Sequence, residues 1–247
     1  GALIIGVVIG LVQAAIGQAR TRKWVIAIGA GYSAESGVPH ALFADAFVPI
    51  LRQMDAHTVS ALSRGGMAEM ARLFPTLVAA SQPGAADGGN APEFKARMLW
   101  TFTEFVSCLA RKRPLLLVLE NLHCADAASL ELLHFMARQV GDVPLAIVCT
   151  YIPIDRGAAP NFRTIEHSLR TQAGAGHHEV RRFTAADTLE LLQQLFGGPG
   201  VVPREFAALL FGWTRGNPFF LEEVLKWLVA SGRLSRSIGI WSGWNVE

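Results

Sequence analysis

Residues 115 to 126, Leu-Leu-Leu-Val-Leu-Glu-Asn-Leu-His-Cys-Ala-Asp, hold the side chains best placed to do chemistry. Five apolar residues run straight into an acid and an amide, which is the pattern of a buried parallel strand that delivers polar groups to a ligand edge. An acid at the end of such a strand can hold a divalent cation, and a second acid beside it can orient an attacking water. Here those positions are Glu120 and Asn121. Asn121 cannot accept a proton, and Glu120 carries its carboxylate one methylene further out than an Asp would, a displacement that a small cation tolerates badly. Asp126 precedes a helical pattern and reads as a helix cap.

A second candidate stands at the start of the sequence, where Gly1 and Gly6 have the spacing of a loop that turns its backbone amides around a phosphate. The Lys and the Ser or Thr that should follow are Val7 and Val8. Loss of the Lys removes a charge-assisted contact of about 1.5 to 3 kcal/mol, or roughly tenfold to a hundredfold in affinity.

On these residues the chain resembles a family. Leu115 to Leu133 is similar to the ATPase modules of bacterial LuxR-type transcriptional regulators and multidomain adenylate/guanylate cyclases, signal-transduction ATPases of the STAND class related to AAA proteins. A second block, Trp213-Thr214-Arg215-Gly216-Asn217-Pro218-Phe219-Phe220-Leu221-Glu222-Glu223, resembles the element that closes their helical lid. Weaker likenesses lie at Gly31 to Pro39, Met70 to Pro75 and Cys149 to Tyr151. The resemblance makes Gly1 to Val8 a degenerate Walker A loop and Leu115 to Asn121 a degenerate Walker B strand. It implies ATP or ADP as ligand, with Mg²⁺ in doubt. It places Arg215 near phosphate and Gly216 and Pro218 against the adenine. The residues themselves allow another reading, in which Asn217 caps a helix and Pro218 occupies its first turn. The sensor Arg expected beside Tyr151 is Ile152. With Lys, hydroxyl, both acids and sensor all replaced in groups that act as a unit, hydrolysis is not expected.

Two functions follow from the resemblance. One is a regulatory switch responsive to ATP and ADP; the other is a pseudo-ATPase scaffold that binds no nucleotide and serves protein contacts. Either implies a cytoplasmic protein with an effector domain, DNA-binding or cyclase, elsewhere in a longer chain. This segment itself would make no direct nucleic acid contact, and self-association is compatible with the family.

Composition agrees with a folded protein. Of 247 residues, 51% are apolar and 17% charged, enough for a sizeable core, and the formal charge of +2 is too small to indicate nucleic acid. Basic clusters at Arg20 to Lys23 and Arg111 to Arg113 read as solvated helix ends. The three cysteines show no metal-ligand spacing, and no metal site is expected. The apolar run from Ala2 to Ile16 falls short of the roughly 20 residues that span a bilayer, and reads as a loop and helix buried in the core.

The remaining pattern is an α/β one, a P-loop NTPase-like parallel sheet flanked by helices, followed by a small helical lid. Residues 24 to 28 and 144 to 151 read as strands beside 115 to 119, while 9 to 18, 42 to 54, 93 to 111 and 127 to 140 read as helices. The Gly- and Pro-rich stretch from Ser81 to Pro92 reads as a mobile loop. Domain boundaries are expected at 1–153 for the core, with its first strand missing and the chain a fragment, then 154–183 for a connection. Helices at 187 to 195, 204 to 211 and 219 to 230 make a lid over 184–232, and 233–247 begins a winged-helix segment. Replacing Val7 with Lys and Val8 with Thr should restore measurable ATP affinity in calorimetry; no gain would show that the loop backbone is not shaped for phosphate.

Overall fold

A computed structural model describes residues 5–74, 91–152, 160–172, 174–237 and 240–244. Gly1 and the stretch from Ser81 to Asn90 lie outside the described residues. The chain divides into two compact units, one of Val12–His177 and one of Gly1–Leu11 with His178–Glu247.

In the larger unit three parallel strands, β1 (Val25–Ala30), β2 (Leu115–Glu120) and β3 (Leu145–Cys149), pair in the order β1-β2-β3. Val25 sits opposite Leu115 and Leu115 opposite Leu145, so the three strands start level and end level. Strand β2 lies in the middle with its first five residues buried, which is why its sequence is continuously apolar rather than alternating. The sheet is flanked by α2 (Ala41–Leu51), α5 (Ala91–Lys112) and α6 (Ala127–Gln139), with α3 (Ala56–Leu62) and α4 (Met67–Leu73) packed on α5. The parallel sheet flanked by helices is the expected α/β, P-loop NTPase-like fold.

An aromatic cluster holds α2 to α5. Phe102 meets Phe47 edge-on at 5.1 Å and Phe43 at 5.4 Å, and all three rings are buried. These are the offsets at which ring quadrupoles attract, adding to burial of about 2 to 3 kcal/mol for each side chain.

Helix α1 (Ile5–Thr21) begins before the residue where the apolar spacing suggested. Among the side chains described from Gly10 onward, Val12, Ile16 and Ala19 are buried, whereas Leu11 is 53% exposed. Among the described residues no helix is long and apolar enough to cross a membrane.

The region read as a connection contains α7 (Pro160–Arg170), which packs on α6. Its apolar residues are few, but Phe162, Ile165 and Leu169 fall at helical spacing, and Phe162 is buried. The short helices α3 and α4 were likewise absent from the sequence reading. Asp55 caps α3 by accepting the Thr58 N–H at 2.7 Å, a signal present in the sequence.

The second unit packs α8 (Ala185–Phe196), α9 (Arg204–Thr214) and α10 (Pro218–Ala230) around Leu192, Phe206, Leu210 and Leu228. Thr184 and Asp187 form a capping box at α8, bonding each other's backbone amides at 3.1 and 2.8 Å. After α10 the chain forms a short antiparallel pair, β4 (Ser235–Ser237) with β5 (Ile240–Ser242).

Candidate functional site

In open α/β sheets, ligands bind beyond the carboxyl ends of the strands, because the returning helices leave a crevice there. At this edge the three strands are tied together through backbone. Gly31 N–H donates to the Glu120 carbonyl at 2.8 Å, Thr150 N–H to the Leu119 carbonyl at 2.9 Å, and Leu122 N–H to the Thr150 carbonyl at 2.8 Å. A side chain at Gly31 would not fit, since its Cβ would lie 2.6 Å from the Asn121 carbonyl oxygen.

Glu120 ends β2 half-buried, and its carboxylate has no hydrogen bond or ion pair among the described residues. Asn121 turns the chain in the left-handed conformation, φ 53° and ψ 43°, which Asn tolerates better than most residues. Its N–H donates to Thr150 Oγ1 at 3.2 Å. The end of β2 thus holds a neutral amide on a turn fixed to the next strand.

Asp126 is buried and fully engaged. Oδ1 accepts the Ser129 N–H at 2.8 Å and the His40 N–H at 2.9 Å, and Oδ2 accepts the Ser129 hydroxyl at 2.5 Å. It caps α6 and also anchors the start of α2, so one carboxylate fixes the loops leaving both β1 and β2. Sequence reading found the cap but not the second helix, because His40 lies 86 positions away.

Three further contacts here were not foreseen from sequence. His123 Nδ1 accepts the Ile152 N–H at 3.3 Å, linking the ends of β2 and β3. An accepting Nδ1 requires the neutral ring, and burial lowers the His123 pKa in the same sense. Ser33 Oγ lies 3.3 Å from Cys124 Sγ. Tyr151 donates its hydroxyl to Glu166 at 2.7 Å, and burial together with that acceptor pushes its pKa up to about 12. Cys149, deeper in β3, is likewise pushed up to about 12 by burial and is no nucleophile.

The phosphate-loop candidates are placed only in part. Gly6, Val7 and Val8 lie in the first turns of α1, where helix N–H groups lack intrahelical acceptors, so what this segment can offer a phosphate is main-chain N–H. Valine brings no charge to the same place. For Mg²⁺ the described residues do not fit a protein-built site, since no group of three or more His, Cys, Asp or Glu side chains converges.

In the second unit every residue of the Arg215 to Pro218 element has a local task. Arg215 ends α9 in the left-handed conformation with φ 48°, and Gly216 follows with φ 69°. Gly216 accepts the Phe183 N–H at 2.9 Å, and a Cβ there would meet the Phe183 carbonyl oxygen. Asn217 caps α10 by accepting the Phe219 N–H at 3.1 Å, and Pro218 takes its first turn. The Nδ2 of Asn217 is buried and has no hydrogen-bond partner among the described residues.

The parallel sheet, the strand ending in Glu120 and Asn121, and the capped helix after it are those of a P-loop ATPase-like module. The profile of the AAA ATPase domain matches residues 8–148, more than half of the chain, and the chain belongs to that family. No curated protein and no solved structure matches it. The matched region takes in β1, β2 and most of β3, with Glu120, Asn121, His123 and Asp126, but neither Gly1 to Val7 nor Cys149 to Ile152.

The buried histidines set a pH dependence. Burial lowers the His40 pKa from the usual 6.5, more than Asp126 and Glu131 raise it, and Lys95 lowers it further. Among the described residues His40 Nδ1 has no partner that would favour the charged ring. As pH falls below about 6.5, the unfolded chain takes up protons at His40 and His123 before the folded one does, so folding stability drops. Urea unfolding should therefore show a lower midpoint at pH 5.5 than at pH 7.5. His40→Asn, which suits the left-handed backbone and does not titrate, should shrink that difference; an unchanged difference would remove His40 as its source.

Proposed function

We propose that this nucleotide-dependent AAA-type module is a regulatory switch of the signal-transduction branch, responsive to ATP or ADP and with little or no hydrolysis. The observation that carries the reading is the end of β2, where Asn121 stands in place of the second acid and is held by Thr150. An amide there can orient a water or a loop but cannot take its proton. Val7 and Val8 in place of Lys and a hydroxyl point the same way. Nucleotide affinity would then rest on main-chain amides at the start of α1 and on base contacts near Gly216 and Pro218, with Arg215 toward phosphate. An effector domain, DNA-binding or cyclase, would read the state of the module in a cytoplasmic protein.

A scaffold that binds no nucleotide is favoured by one specific observation. Arg215, Gly216, Asn217 and Pro218 each have a structural role within their own unit, so this element does not require a ligand to explain it. Calorimetry with ATP and ADP, with and without Mg²⁺ and up to millimolar concentration, separates the readings. A dissociation constant in the micromolar range supports the switch. No heat at millimolar nucleotide, from a chain shown to be folded by circular dichroism, leaves the scaffold.

A further inference from the structure

Two basic clusters that lie about 90 positions apart in the sequence meet in the fold. Helix α1 ends in Arg20, with Arg22 and Lys23 in the turn into β1; α5 ends in Arg111 and Lys112, with Arg113 in the turn into β2. Because Val25 pairs with Leu115, the two turns are neighbours at the amino edge of the sheet, the end opposite Glu120 and Asn121. Arg113 Nη2 donates to the Lys23 carbonyl at 2.6 Å and braces one turn against the other. All six side chains are exposed, and none is paired with a carboxylate among the described residues.

Helix dipoles account for part of this. Arg20, Arg111 and Lys112 sit in last turns, where a cation is favourable. Arg22, Lys23 and Arg113 stand one or two positions past the helix ends, where the dipole effect is already falling off, and of these three Arg113 is also the brace between the turns. The third turn of the same edge, before β3, adds Arg138 and a single acid, Asp142. With a formal charge of only +2 over the whole sequence, this concentration leaves the rest of the chain net acidic. The low total charge is therefore a sum over a segregated distribution, and it is the local field that attracts a partner.

We propose that this amino edge binds the phosphodiester backbone of duplex nucleic acid without reading its sequence. Four of the six cations are arginines, whose planar forks match phosphate oxygens. Adjacent strands lie about 4.8 Å apart, so both turns can reach one run of phosphates. Trp24, the one aromatic in either turn, is half-buried, and the turns lack an exposed large apolar side chain. That lack disfavours stacking on unpaired bases and insertion into a bilayer, leaving the charged backbone as the partner. The face is independent of the candidate nucleotide edge and does not require nucleotide to bind.

The test is fluorescence anisotropy of a labelled mixed-sequence DNA duplex of about 20 base pairs with the whole chain. Binding in the micromolar range is expected at 50 mM salt, weakening about a hundredfold by 200 mM if four phosphates are neutralised. Arg22→Glu with Lys112→Glu should weaken binding at least tenfold, while Arg181→Glu, in the other unit, should not. Should the double reversal fail to fold, Arg22→Gln with Lys112→Gln makes the same comparison. Absence of duplex binding at 50 mM salt, equal binding by the double variant, or binding to phosphatidylserine vesicles but not to DNA would each overturn the proposal.

Discussion

A strand that is buried on both faces and paired on both edges can present polar groups only at its ends, and β2 is such a strand. Burial of Leu115 to Leu119 fixes where Glu120 and Asn121 emerge, because shifting an interior strand by one residue would set a carboxylate in the core at a cost of several kcal/mol. The level starts of the three strands then separate the ends by chemistry. The carboxyl edge gathers Glu120, Asn121, His123 and Thr150; the amino edge gathers the basic turns.

Asp126 converts that placement into a rigid site. Its carboxylate is buried yet has no cation beside it, and it is satisfied by two backbone N–H groups and a hydroxyl. Hydrogen bonds to a charged acceptor contribute about 1.5 to 3 kcal/mol each, and losing the carboxylate would strand buried donors at two helix starts. The same residue that reads as a simple cap therefore determines how the loops after β1 and β2 stand to one another. His40 is the by-product: its N–H is required, and its ring is carried into the interior with Nδ1 unpaired.

What the sequence made legible follows from the range of each interaction. Strands and long helices were readable because continuous apolar runs and helical stripes are local patterns, as were the caps at Asp126 and Asn217. Helix α7 was missed because only Phe162, Ile165 and Leu169 mark it, and their burial depends on α6. The His123 link to Ile152 and the Arg113 brace to Lys23 were out of reach for a different reason. Both join residues whose proximity is created by strand pairing, and nothing in either local segment announces the other. The basic clusters were visible singly, but their convergence was not.

In the function proposed above, β2 ends in a site that keeps an ATPase's placement without its base. Steady-state ATP turnover with Mg²⁺, measured for the chain and for Glu120→Gln, tests it most directly. The account predicts no turnover above background in either protein. Turnover of about 1 per second or more, within the ordinary range for enzymes, that is abolished by Glu120→Gln would contradict it and make Glu120 a working catalytic acid.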